Sequence, residues 1–316
     1  MLVTSKEDLS FVPSLGTSYE QHPIAANVAP GTHTDCILKE SARPFDAYGE
    51  PDARVADMAQ FVLATSFPDI LPPNGKALLD KSWAIFTRGE FFALRALGDG
   101  VYDVPLDLGL HFRSKQVVRW IMNAAPGVIY HRLMDYNPDE FGFLSAHNRF
   151  AKVRGSRRLL DDECLLEHEL GVVKQMMGSG KDVRVILPYV TNPDEQAEIQ
   201  AIVQQETSPN QIGTMVERVE HAHNIADYPP VHFVFPGPSD LTSDLKNESR
   251  GAYRYGDSTE QAIIDLSRDM ARSAAAIGIR DVLAIKILVG QIEPTGNQRI
   301  HDVYMPNQLL VNRGTN

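Results

Sequence analysis

Glu217 and Asp240 each close a short apolar run, Gln211-Ile-Gly-Thr-Met-Val-Glu217 and Phe233-Val-Phe-Pro-Gly-Pro-Ser-Asp-Leu241. An apolar run bounded by turn residues is the pattern of a strand buried on both faces, and a polar residue at its C-terminal end stands at the rim of the sheet. Between the two runs, residues 218–227 have helical character, with Val219, Ala222, Ile225 and Ala226 on one side. The two carboxylates are therefore one strand–helix–strand step apart, which predicts neighbouring strands and one shared rim. Two hard oxygen ligands, with room for water and a substrate oxygen, suit Mg2+ (or Mn2+). An ordinary helix carboxylate and a loop Asp remain the alternative.

Other polar residues fall at predicted strand ends in the same way. Arg88, Arg132, Asp135, Arg154, Ser239 and Asp240 form this group with Glu217. Arginine forks make two-pronged bonds to carboxylate and phosphate, so the set suits a small anionic substrate bridged by a metal. For any single arginine, a rim salt bridge is the competing account.

The elements that must position these residues alternate. Residues 82–88, 128–132, 152–157, 183–190, 211–217, 233–241, 282–288 and 302–305 are expected as strands, the third of them as a short strand or turn. Helices are expected over 91–97, 115–124, 162–177, 194–205 and 260–276. Eight strands alternating with helices predict an α/β fold, a (β/α)8 TIM barrel, over residues 76–316. Residues 1–75, rich in Pro, Gly, Ser and Thr, are expected as an irregular N-terminal extension, with a helix over 52–65 and a linker over 67–75. Met177-Gly-Ser-Gly-Lys181 lacks the spacing of a phosphate loop and predicts a helix-terminating turn.

Composition narrows the function further. The chain has 316 residues, 43% of them hydrophobic, and a formal net charge of −11. An acidic balance argues against a nucleic-acid groove. Two cysteines, Cys36 and Cys164, form no disulfide framework and suggest a cytoplasmic protein. The N-terminal residues show no signal pattern, and no stretch approaches the roughly 18 apolar residues of a membrane span, so no anchor is expected.

Six ordered segments between about residues 82 and 310 resemble the C-terminal barrel of phosphoenolpyruvate-utilising enzymes, closest to phosphoenolpyruvate synthase and pyruvate phosphate dikinase. Arg88-Gly-Glu-Phe resembles Arg-Thr-Glu-Phe, and Arg132-Leu-Met-Asp-Tyr-Asn-Pro-Asp-Glu-Phe141 resembles Arg-Leu-Ser-Asp-Phe-Lys-Thr-Asn-Glu-Tyr. Asn148-Arg-Phe-Ala-Lys-Val-Arg154-Gly-Ser-Arg157 and the stretch 183–195 follow two more of its motifs. Gly213-Thr-Met-Val-Glu217 and Gly237-Pro-Ser-Asp-Leu-Thr242 resemble its two metal-binding segments. The resemblance implies a barrel of the phosphoenolpyruvate/pyruvate superfamily in which Glu217 and Asp240 hold Mg2+. Arg88 and Arg132 would then hold the phosphoryl group and neutralise the enolate, with Arg154, Gly237 and Ser239 as further substrate contacts. It also implies a homo-oligomer.

The departures bear on the net reaction. The family's Cys-Gly-Glu, whose cysteine protonates the enolate carbon, is replaced by Ala284-Ile-Lys-Ile-Leu-Val-Gly290. No convincing copy of the mobile phosphohistidine domain's motif is present, and His33 is only a faint echo of it. A stand-alone barrel would thus need a separate phospho-carrier protein for phosphoryl transfer. Gly-Pro-Ser-Asp-Leu is closer to the metal segment of 2-oxo-acid aldolases and citrate-lyase-like enzymes, which points to carbon–carbon lyase chemistry on the same site. A non-catalytic, metabolite-binding or regulatory barrel is the third reading. Cys164 is expected as a core helix thiol, His131 in the wall between strand and helix, and Lys286 as a structural strand lysine. His221 and His223, two apart, should face different sides of a helix and share no metal.

Overall fold

The computed structural model describes residues 61–66, 68, 73–90, 92, 118–135, 153–208, 211–247, 258–285, 288 and 291–304. The first half of these elements comprises β1 (Val62–Ala64), α1 (Pro73–Lys81), β2 (Ala84–Arg88), β3 (Val128–Arg132), α2 (Gly155–Asp161), α3 (Glu163–Gly178) and β4 (Asp182–Leu187). There follow α4 (Pro193–Gln204), β5 (Ile212–Val216), α5 (Val219–His223), β6 (Phe233–Pro236), α6 (Pro238–Lys246), α7 (Ser258–Ala276), β7 (Asp281–Ile285) and β8 (Arg299–Tyr304). Residues 118–124 are helical as well. The eight strands are all parallel and pair in sequence order, and β1 closes the ring on β8. The protein is a (β/α)8 barrel.

Period-two alternation along each strand divides the core in two. One face fills the barrel interior with Val62, Ala64, Ala84, Phe86, Tyr130, Ile186, Met215, Phe233, Phe235, Leu283 and Val303. Edge-to-face pairs, Phe86 on Phe235 at 5.1 Å and Tyr130 on Phe233 at 5.2 Å, lock this plug. A Cβ at Gly213 would lie 2.3 Å from the Phe233 ring, so only glycine leaves room for it. The other face packs Ile85, Ile129, Val183 and Val185 beneath helical Leu165, Val172, Val173, Met176, Ile199 and Val203. Burial on both faces is why the strands carry nearly continuous apolar runs.

Three expectations are corrected here. The helix expected over 52–65 is, from Val62, the first barrel strand, so the barrel begins upstream of residue 76 and Arg88 ends the second strand. The strand expected over 152–157 is the extended approach to α2. Cys164 is exposed on α3, not in the core. Residues 1–60, with Cys36 and His33, and Lys286 lie outside the described residues. The turn after α3 is as expected, capped at Ser179 with Gly180 at φ +79°. No helix among the described residues is long and apolar enough to cross a membrane.

The N-terminal end of the barrel is tied by Asp281, the fully buried first residue of β7. It accepts from Arg299 at 2.7 and 2.8 Å and pairs with His301 at 2.9 Å, with His232 at 3.5 Å. Burial raises the Asp281 carboxyl, but the bonds from His301 and Arg299 prevail and hold it at about 2. A depressed carboxyl contributes stability above its unfolded value of roughly 4, and that contribution fades as pH falls toward 2. Asp281→Asn should therefore lose on the order of 1–2 kcal/mol at neutral pH, discounted for the solvent around Arg299. Thermal melts between pH 7 and 2 check this: the variant and wild type should converge at the acid end.

Candidate functional site

Strand register sets the rim opposite Asp281. Arg88 and Arg132 are direct partners at the ends of β2 and β3, so the two guanidiniums start side by side. Val216 pairs with Pro236, which places Glu217 and Gly237 next to each other one step beyond. The Gly237 N–H donates to the Val216 carbonyl at 2.8 Å, and a Cβ at Gly237 would sit 2.7 Å from Cγ of Glu217. Glycine is needed there so that the carboxylate can pack against bare backbone. Proline opens α6 as the first helical residue, a position that needs no N–H. The first turn then carries Ser239 and the buried Asp240.

Four carboxylates converge and are nearly sealed from solvent: Glu90 (2% exposed), Asp135 (3%), Glu217 (2%) and Asp240 (4%). Arg132 lies at their centre. It donates to Glu90 and stands 3.7 Å from both Asp135 and Glu217. Burial works against the Arg132 charge, but Glu90, Asp135 and Glu217 outweigh it and bind the proton more firmly. Burial likewise raises the Glu90 carboxyl, opposed by Arg132 and Arg88. Arg88 Nε is 3.8 Å from Glu90. Arg154 grips Asp135 with two prongs, at 3.1 and 2.5 Å, and reaches Asp240 with the third nitrogen at 3.0 Å. The Tyr189 N–H donates to Glu217 Oε2 at 2.9 Å.

The donor set fits a hard divalent cation. Among these seven side chains, four carboxylates face three guanidiniums, so oxygen ligands are in formal excess at the rim. Among the described residues no group of three or more His, Cys, Asp or Glu could hold a metal by protein ligands alone. Two carboxylates with substrate and water oxygens completing the shell is the Mg2+ pattern, not that of a closed zinc site.

Arg88 and Arg132 end β2 and β3 as expected, and Glu217 directly follows β5. Ser239 and Asp240, expected at the end of a strand over 233–241, lie instead in the first turn of α6, because β6 stops at Pro236 and Pro238 opens the helix, and Asp135 lies three residues beyond β3. Arg154 is not at a strand end; it is the extended residue before α2 (φ −128°, ψ 174°), and it still reaches the same rim. Glu90 and Tyr189 were not singled out in the sequence. Glu90 stands two residues from Arg88 inside Arg88-Gly-Glu-Phe, and pairing an acid with that arginine is the available signal. His131 is buried behind the wall as expected, 2.9 Å from Thr87 Oγ1 and stacked on Phe92. His221 is buried against Tyr228 and His223 is exposed, so the two do not meet. Burial, with Arg218 nearby, lowers His221 to about 3 and keeps it neutral.

Fold and rim together define a (β/α)8 barrel with a buried acid–arginine cluster at the C-terminal ends of its strands. No protein-family model matches the chain. A probable phosphoenolpyruvate synthase of Methanocaldococcus jannaschii is 29% identical over 174 residues, which cover 49% of this chain and 14% of that relative. The likeness thus spans a small part of the relative's length. Among solved structures, an HpcH/HpaI aldolase/citrate lyase family protein from Burkholderia cenocepacia J2315 is 15% identical over 82% of this chain and 94% of that one, with a TM-score of 0.44. An HpcH/HpaI aldolase from Desulfitobacterium hafniense DCB-2 is 13% identical over 77% and 86%, with a TM-score of 0.41. The barrel assignment rests on the strand pairing itself.

Proposed function

We propose that this protein is an enzyme that binds a 2-oxo acid, or the corresponding enol phosphate, through a divalent cation at Glu217 and Asp240 and stabilises its enolate. The observation that carries the reading is the convergence of two buried carboxylates from β5 and α6 with Arg132 and Arg154 on one rim. Bound Mg2+ or Mn2+ would supply Lewis-acid polarisation of the substrate's carboxylate and 2-oxo oxygens. Arg88, the more exposed of the two guanidiniums, presents its fork to a carboxylate or phosphoryl group, and Arg132, held among Glu90, Asp135 and Glu217, places positive charge where an enolate oxygen develops. Arg154, fixed by Asp135, adds a third cation on the Asp240 side. Ser239, beside Asp240 in the first turn of α6, is a polar contact for the substrate, and Gly237, its N–H bonded to Val216, lets the substrate approach closely for want of a side chain.

For the net reaction, carbon–carbon bond cleavage or formation is favoured. In the direction of bond formation the enolate carbon attacks a carbonyl carbon, and the proton lost from C3 is balanced by one taken up at the new hydroxyl. In cleavage the hydroxyl gives up that proton and the enolate carbon takes one from solvent, so neither direction requires a thiol. The residues after β7 contain no cysteine, and Cys164 is exposed on α3 rather than placed at a strand end. The second reading, phosphoryl transfer with a separate phospho-carrier protein, is favoured by the likeness to a probable phosphoenolpyruvate synthase.

Proton NMR of pyruvate in D2O separates the possibilities. Loss of the methyl signal that requires Mg2+ and the protein is the expected result. Adding aldehydes should then give new 4-hydroxy-2-oxo acid resonances, whereas loss of phosphate from phosphoenolpyruvate that depends on a partner protein would favour the second reading. No exchange, together with no binding of oxalate or phosphoenolpyruvate, would reduce the barrel to a non-catalytic scaffold.

A further inference from the structure

Tyr189 bonds Glu217 directly and reaches Asp240 through Arg154. Its backbone lies in the left-handed region (φ +35°), which a side-chain-bearing residue adopts only when its surroundings impose it. Those surroundings are visible. Ser156 donates to the Pro188 carbonyl twice, from its N–H at 2.9 Å and its hydroxyl at 2.7 Å. Gly155, itself at φ +63°, lies so close that an added Cβ would be 2.5 Å from Tyr189 Cβ and 2.6 Å from the Tyr189 carbonyl oxygen. The Gly155 N–H is in turn held by Asp135 at 3.1 Å.

This clamp has two outputs. The turned backbone aims the Tyr189 N–H at Glu217 Oε2. The ring lies against the Arg154 guanidinium, 4.0 Å from its centroid, and Arg154 donates to Asp240. We propose that Tyr189 is a positioning residue that sets the separation and orientation of Glu217 and Asp240 for a divalent cation, through its strained amide on one side and its stacked ring on the other. The inference rests on the metal reading above. The hydroxyl plays no part in it, so phenylalanine is sufficient at this position.

The test is Mn2+ binding to the protein without substrate, followed by the paramagnetic resonance signal of free Mn2+ and by calorimetry. Tyr189→Phe should bind Mn2+ within about twofold of wild type. Tyr189→Leu, which keeps bulk but has no π face, and Tyr189→Ala should bind it about 10- to 100-fold more weakly, the range seen when the groups orienting metal ligands are removed. Melting temperatures of the metal-free variants establish that all are folded, and Tyr189→Leu carries the decision should Tyr189→Ala fail to fold. Wild-type affinity in Tyr189→Leu, or a loss in Tyr189→Phe as large as in Tyr189→Leu, overturns the positioning role while leaving the metal site standing. Wild-type protein that binds no Mn2+ overturns the metal reading, and this inference with it.

Discussion

Glu217→Gln and Asp240→Asn are each expected to abolish metal-dependent exchange at pyruvate C3, with a fall of about 10^3-fold or more, equivalent to roughly 4 kcal/mol of lost charge stabilisation. Both replacements keep shape and a hydrogen-bond acceptor. The Tyr189 N–H still finds an oxygen on the amide that replaces the Glu217 carboxylate, and Arg154 retains its two-pronged hold on Asp135. What is lost is one unit of negative charge at the rim. The same loss predicts an opposite effect on stability. Four buried carboxylates among three arginines repel one another, so neutralising one should leave the metal-free melting temperature unchanged or higher. Activity lost while stability holds is the signature of a functional charge. If instead both variants melt well below wild type, the carboxylates are structural partners of Arg132 and Arg154, and the exchange data lose their meaning for metal binding.

That separation between structural and functional charge explains what could be foreseen from the amino-acid sequence. Strands β2 to β8 were legible because each is buried on two faces and ends in turn residues; seven of the eight expected strands overlap strands of the barrel. β1 was not. Its three residues, Val62–Ala64, continue a spacing of Val55, Met58 and Phe61 that mimics a helix, and only pairing with both β2 and β8 makes them a strand. Neighbouring placement of β5 and β6, and with them of Glu217 and Gly237, followed from chain order, since consecutive strands of a barrel are adjacent, whereas Asp240 lies in the first turn of α6 and not at the strand end expected for it. The acids that hold the arginines did not follow. Glu90, two residues past Arg88, reaches Arg132 on the next strand, and Asp135 meets Arg154 across a connection of some length. Such pairings depend on rotamers and on how loops return to the rim, which no periodicity encodes. Tyr189 was hidden for a related reason: a left-handed backbone at a non-glycine residue is imposed by packing, here by Gly155 and Ser156.

Arg132→Met should be the most destabilising of the rim substitutions. It removes the cation shared by Glu90, Asp135 and Glu217, all of them nearly sealed from solvent. Breaking a buried ion pair by deleting one partner costs about 3–5 kcal/mol, because the remaining charge stays buried. Asp135 keeps Arg154 and Glu217 keeps the Tyr189 N–H, so Glu90 bears most of the loss. Its carboxyl is already raised by burial with Arg132 present, and without Arg132 it must rise further. A carboxyl raised above its unfolded value of roughly 4.3 binds its proton more tightly in the folded state, so stability returns as pH falls toward that value. Urea denaturation of Arg132→Met should therefore show a large deficit at pH 7.5 that shrinks at pH 5. Adding Glu90→Gln should remove the pH dependence and recover stability beyond additivity, since the two residues share one bond. Arg132→Lys separates charge from shape: it restores the cation but not the fork, and should recover stability more fully than substrate binding. Equal stability of Arg132→Met and wild type at both pH values would mean that Arg88 or solvent carries the charge of Glu90 once the Arg132 guanidinium is gone.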